Sequence, residues 1–228
     1  MHVLAIRWFG GPGQQAGPYD VPIELFSEAL DHLAAETDRL AVMGTSFGAE
    51  AALLTAARDQ RVRATVAFAP SSVVWGGYDG TRWTSHWTAD GQPVPWMPFV
   101  EGWESAQDPP AYRDLYAHSL AADVQAADEA AIPVERIAGA VVLVAGGDDQ
   151  VWPSVAFAER IAARRGERGL ETTVVTHPGA GHRTVLPGEP SLRAAGARMR
   201  RGGTPEAEAA LGSLAWPHLV AALGLSTR

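Results

Sequence analysis

The sequence has no cysteine and no lysine in its 228 residues, so all 18 basic side chains are arginine. Without cysteine there is no disulfide frame, thiolate nucleophile, Cys-bound zinc or iron–sulfur cluster. Without lysine there is no Schiff-base chemistry and no phosphate-loop lysine. No apolar run approaches the roughly 18 residues of a membrane span. A net charge of −8 argues against a nucleic-acid partner, which needs a basic face. The opening residues Met-His-Val-Leu-Ala-Ile-Arg-Trp-Phe lack the basic start and small-residue cleavage site of a signal peptide, and the expectation is a cytoplasmic protein. The nucleophiles that remain are Ser, Thr, Asp, Glu, Tyr and His.

What is present is a globular composition, 46% apolar and 19% charged, sufficient for a sizeable core in a single domain over residues 1–228. Val3 to Phe9 is a mostly apolar run ending in Gly10-Gly11-Pro12-Gly13 and is expected to be a buried strand leaving into a turn. From Ile23, the apolar positions Phe26, Leu30 and Leu33 recur at helical spacing, with Pro22 placed for a first turn. Arg39–Gly44, Ala64–Ala69, Ala140–Ala145 and Thr172–Thr176 are further strand candidates. Phe47–Arg58, Ser154–Arg165 and Pro205–Leu223 are expected helices. Apolar strands alternating with helices imply an α/β fold, a mainly parallel sheet of about five strands with helices on both faces. One stretch breaks the rhythm. Between Pro70 and Ile132 lie five of the eight tryptophans (Trp75, Trp83, Trp87, Trp96 and Trp103), then a segment Tyr112–Ala131 compatible with helix. So long a connection inside a compact domain suggests a lid or binding insertion over about 71–131. Its tryptophans can form either a small satellite core or a substrate-facing wall, with Trp75, Trp96 and, further on, Trp152 the candidates for substrate contact.

Gly44-Thr45-Ser46-Phe47-Gly48 matches the G-x-S-x-G nucleophile elbow. The spacing serves chemistry because the serine sits on a strained strand-to-helix turn. The flanking glycines admit neighbouring backbone, and the amide of the following residue, Phe47, faces the oxyanion. The pattern is weak alone, but here an apolar strand precedes it and a helix follows. An activated serine needs a base and a group to orient it, in the chain order Ser, Asp or Glu, His. Gly146-Gly147-Asp148-Asp149-Gln150 follows one strand candidate and Pro178-Gly179-Ala180-Gly181-His182 the next, so all three groups fall at the strand ends where open α/β sheets hold ligands. Asp149 is favoured over Asp148, which could instead cap the following segment. His182 is favoured over His177, the last residue of its strand. Bland readings stand beside these, since acidic and Gly-His loops are commonly only turns. His2, His32, His86, His118 and His218 show no metal-ligand spacing and are taken as surface or packing residues. No metal or cofactor is expected.

Longer strings carry a resemblance. Arg7-Trp8-Phe9-Gly10, Ile23-Glu24-Leu25-Phe26, Gly44-Thr45-Ser46-Phe47-Gly48-Ala49-Glu50 and Val73-Val74-Trp75-Gly76-Gly77 come first in order. Ile132-Pro133-Val134-Glu135-Arg136-Ile137, Asp148-Asp149-Gln150-Val151-Trp152-Pro153-Ser154, Pro178-Gly179-Ala180-Gly181-His182 and Gly202-Gly203-Thr204-Pro205-Glu206-Ala207 follow. Together they resemble the acyl-CoA thioester hydrolase / bile acid-CoA:amino acid N-acyltransferase C-terminal domain family, α/β-hydrolases close to dienelactone hydrolase. The resemblance implies Ser46 as nucleophile, His182 as base and then acid, and Asp149 as the orienting carboxylate, acting on a small-molecule acyl thioester or ester. The amino-acid-transferring branch uses a Cys nucleophile, so hydrolysis is the expectation here. By the same resemblance Met1 falls at the fourth strand of a truncated α/β-hydrolase fold. The strand whose loop gives the second oxyanion donor then precedes it, and either Gly10 and Gly11 substitute or another chain does. An uncovered sheet edge makes a homodimer an expectation. Two other readings stay open: a lyase, cyclase or acyl transferase using the same pocket, and a catalytically silent binding or partner subunit.

Overall fold

The computed structural model describes residues 2–190 and 198–225; Met1 lies outside them. In chain order the elements are β1 (Val21–Pro22), α1 (Glu24–Ala34), β2 (Leu40–Thr45), α2 (Phe47–Arg58), β3 (Val62–Phe68), β4 (Gly76–Tyr78), β5 (Trp83–Ser85), β6 (Trp87–Ala89) and β7 (Gln92–Pro93). Then come α3 (Arg113–Ala122), α4 (Val124–Glu129), a short 3-10 turn (Val134–Arg136), β8 (Ala140–Gly146), α5 (Ser154–Gly166), β9 (Thr173–His177) and α6 (Pro205–Leu223). The central sheet has four strands in the order β2-β3-β8-β9, all parallel. The chain is an α/β protein with a parallel central sheet.

Side-chain alternation along the strands assigns the two faces. Val141, Leu143 and Ala145 of β8 join Leu53 and Ala56 of α2, Ala158 and Ile161 of α5 and Leu30 of α1 in one core. Val142 and Val144 point the other way, with Val66 and Phe68, onto Leu211, Ala215 and Leu219 of α6, as a period of two requires. The ends of α6 follow local chemistry. Thr204 caps it by accepting from the Ala207 amide, Pro205 sits in the first turn, and Gly224 closes it at φ 64°, a left-handed position that glycine adopts without strain. No helix among the described residues is long and apolar enough to cross a membrane.

Three expectations are corrected. Val3–Phe9 forms no strand: Val3 is 74% exposed and the run pairs with no other strand among the described residues, so the central sheet has four strands rather than five. Apolarity alone does not make a strand; a strand forms only by pairing its backbone, and this run does not pair although the edge of β2 is open among the described residues. Pro22 does not open α1 but pairs in β1 beside Thr88, and α1 begins two residues later. Tyr112–Ala131 is two helices, broken at Asp123, whose side chain accepts from the Ala126 amide and caps α4. The connection from β3 to β8 holds a hairpin of β4 and β5, a second small sheet of β1, β6 and β7, and those two helices.

Candidate active site

Ser46 stands between the last residue of β2 and the first of α2 at φ 59° and ψ −125°. That conformation is costly for a residue with a Cβ and marks a strained elbow. The surrounding sequence permits it. A Cβ on Gly44 would run into the Gly48 carbonyl, so only glycine lets the strand and the first helical turn approach so closely. The Ser46 amide is fixed by donating to the Phe68 carbonyl of β3 at 3.0 Å. The Phe47 amide, at the start of α2, has no hydrogen-bond partner among the described residues.

At the ends of β8 and β9 two loops meet. Asp149, fully buried, takes His182 Nδ1 on Oδ2 at 2.8 Å, while its Oδ1 accepts the amides of Val151 at 2.8 Å and Trp152 at 3.2 Å. These amides fix the carboxylate, and the carboxylate fixes the imidazole with Nδ1 protonated and Nε2 free. Asp148 turns elsewhere, accepting from the Gly203 amide and from Gln150 Nε2, both at 2.8 Å. His177 accepts from the Gly179 amide in its own turn. The Arg201 carbonyl clasps both loops, accepting from His182 N at 2.8 Å and Gln150 N at 3.3 Å. Arg113 adds a strap from α3 to the Gly147 and Asp149 carbonyls.

Ser46, Phe47 and His182 line one cavity of about 1150 Å³, slightly larger than the usual small-molecule site. Ser46 Oγ and His182 are not hydrogen-bonded among the described contacts; contacts between nucleophile and base commonly tighten only around substrate. The aromatic wall differs from expectation. Trp75 and Trp152 are fully buried, Trp75 stacked on Phe99 and Trp152 set edgewise to Tyr116 and His182. Trp96 fills the space beside Gly76. None of the three borders the cavity; Trp83 and Trp103 do. Large rings near a core are drawn into it unless backbone geometry holds them out, and composition does not distinguish the two cases. Gly10 and Gly11 are also corrected as oxyanion donors. Their amides serve their own turn, Gly10 donating to the Gln15 carbonyl and Gly11 to Gln14 Oε1, and neither borders the cavity.

A family model described as BAAT / Acyl-CoA thioester hydrolase C terminal matches residues 21–224. The chain belongs to this family. No curated protein matches the sequence. Among solved structures, a puromycin-hydrolyzing peptidase of Mycobacterium tuberculosis is similar at 17% identity and TM-score 0.52, over 90% of this chain and 26% of the peptidase. A protein described as a dienelactone hydrolase from Klebsiella pneumoniae is similar at 16% identity and TM-score 0.46, over 90% of this chain and 63% of that one. This chain thus spans about a quarter of the peptidase and under two thirds of the Klebsiella protein. The peptidase likeness shows the fold. Family membership and fold together make this a chain of a hydrolase family.

Sequence reasoning missed one group at the site. Glu50, four residues after Ser46, is fully buried, and its Oε2 lies 3.1 Å from Nδ1 of His86, a residue that also borders the cavity. A lone carboxylate inside the Ala- and Leu-rich stretch Phe47–Arg58 was the available signal, because such a helix buries most of its circumference. The surroundings of both buried carboxylates are felt nearby: burial first, then the charges of Glu50 and Asp149, hold the Tyr116 hydroxyl well above its usual range.

Proposed function

We propose that the protein is a serine-dependent hydrolase of acyl thioesters or esters, with Ser46 as nucleophile, His182 as general base and Asp149 as orienting carboxylate. The observation that carries this reading is the buried Asp149–His182 pair facing the cavity that contains the Ser46 elbow. Ser46 Oγ attacks the acyl carbonyl as His182 Nε2 takes its proton. The tetrahedral oxyanion gathers beside the Phe47 amide, and collapse expels the thiol or alcohol, which receives that proton. Water then repeats the sequence on the acyl-enzyme. Trp83 and Trp103, with the β3–β8 connection acting as lid, form the acyl-binding wall. The acyl-CoA thioester named in the family description is the first substrate class to test.

A fluorophosphonate probe is expected to add its mass to the wild type and not to Ser46→Ala, and thiol release from a panel of acyl-CoAs should fall by about 10⁶-fold in that variant. Folded, intact wild type that resists labelling overturns the proposal.

A further inference from the structure

Glu50 and His86 repeat, in the same cavity, the arrangement of Asp149 and His182. Glu50 lies one turn along α2 from Ser46, and helical side chains lean toward the N-terminus, so its carboxylate rises toward the nucleophile. Oε2 accepts Trp87 Nε1–H at 2.9 Å and the Trp75 amide at 3.5 Å, and stands 3.1 Å from His86 Nδ1. An oxygen that already accepts from N–H groups takes a third, so the network assigns the proton to Nδ1 and leaves the neutral ring's lone pair on Nε2.

His86 is held on every side. Its amide donates to the Trp75 carbonyl at 3.0 Å, its carbonyl accepts from Val21 at 2.9 Å, and its ring packs 4.2 Å from the Phe47 ring, centroid to centroid. Nε2 has no hydrogen-bond partner among the described residues, and His86, although only 2% exposed, is one of the residues that line the cavity. Phe47, whose ring packs on His86, lines the same cavity, as do the apolar rings of Trp83 and Phe99. A fixed acceptor in such a wall discriminates. A chain that offers it a hydroxyl satisfies it, whereas a plain alkyl chain desolvates it without return.

We infer that His86, oriented by Glu50, is a specificity residue that accepts a hydrogen bond from a hydroxyl on the acyl group, within a few carbons of the thioester or ester carbonyl. This deepens the Ser46 reading and rests on it for turnover. The near position follows from the His86 ring packing 4.2 Å, centroid to centroid, from the ring of Phe47, the residue next to the nucleophile.

The test uses acyl thioesters of one chain length with a hydroxyl walked along the chain, and reads the ratio of kcat/KM for each hydroxyacyl substrate to that for the plain acyl substrate. Wild type is expected to favour a hydroxyl near the carbonyl by on the order of 10- to 100-fold, and His86→Phe to bring that ratio close to one. A merely structural role for His86 changes both substrates together and leaves the ratio alone. A wild type without preference, or a preference that survives in His86→Phe, overturns the inference. A second arm needs neither turnover nor that variant. In ¹⁵N-histidine-labelled Ser46→Ala, the matching hydroxy acid should shift the His86 Nε2 resonance and the plain acid should not; equal shifts, or none, overturn it. Absence of fluorophosphonate labelling with a selective shift in this arm brings down the acyl-enzyme reading alone.

Discussion

Asp148 and Asp149 are adjacent, equally acidic and directed to different tasks. Asp149 takes His182 and two loop amides; Asp148 ties Gln150 and the Gly203 amide. Their variants should therefore separate. Asp149→Asn is expected to lower kcat on acyl thioesters by about 10⁴-fold, because the amide no longer holds the imidazole in its working tautomer. Asp148→Ala leaves the Gly203 N–H without its acceptor and should cost about 1–3 kcal/mol in denaturant titration, with a much smaller loss of kcat. Equal kinetic losses in the two variants would reject the division of labour. Phe47 shows the same economy within one residue, its amide left open beside Ser46 while its ring packs on His86 and Trp152.

Among the elements, α5 shows what arginine does here that lysine could not. Arg165 is 2% exposed and donates to the carbonyls of Val134, Ile137, Gly139 and Glu171 and to Thr172 Oγ1, joining the 3-10 turn, the approach to β8 and the approach to β9. A guanidinium fork spans such separated acceptors; an ammonium is a point. Arg165→Lys is expected to lose about 2–4 kcal/mol of stability, read as a fall in Tm. Arg164→Lys, at a half-exposed pair with Glu135, should change it by less than about 1 kcal/mol. A control as damaging as the test would sink this account. Elements with strong local signals were legible in the sequence: α2 by the Ser46 elbow before it, α6 as the expected helix Pro205–Leu223, and β8 by its unbroken apolar run. Val3–Phe9 looked equally apolar, but strand formation depends on a partner that the run itself does not encode. The tryptophans failed for a related reason, since which of them seals a core and which borders a cavity is decided by contacts distant in sequence. The pairing of Asp149 with His182 near the Ser46 elbow was legible because strand ends and glycine loops announce themselves locally. Glu50 with His86 was not, being 36 residues apart and united only by the fold.

For the molecule as a whole, the outer edge of β2 carries no strand among the described residues, and Met43 on that strand is 57% exposed. Such an edge is a template for pairing, and we propose that a second copy covers it. Sedimentation velocity over a wide concentration range should show reversible dimerisation, and Met43→Lys should shift it toward monomer. A protein that stays monomeric throughout removes the proposal. A different consequence follows from the Arg201 clasp. The atom that fastens the aspartate loop to the histidine loop is a backbone carbonyl, which every amino acid supplies, while Arg201 is one of the residues that line the cavity. Mutation at this codon can therefore rewrite the charge that meets an incoming substrate without loosening the pair behind it, a route by which a lineage can change its diet while its chemistry stands still.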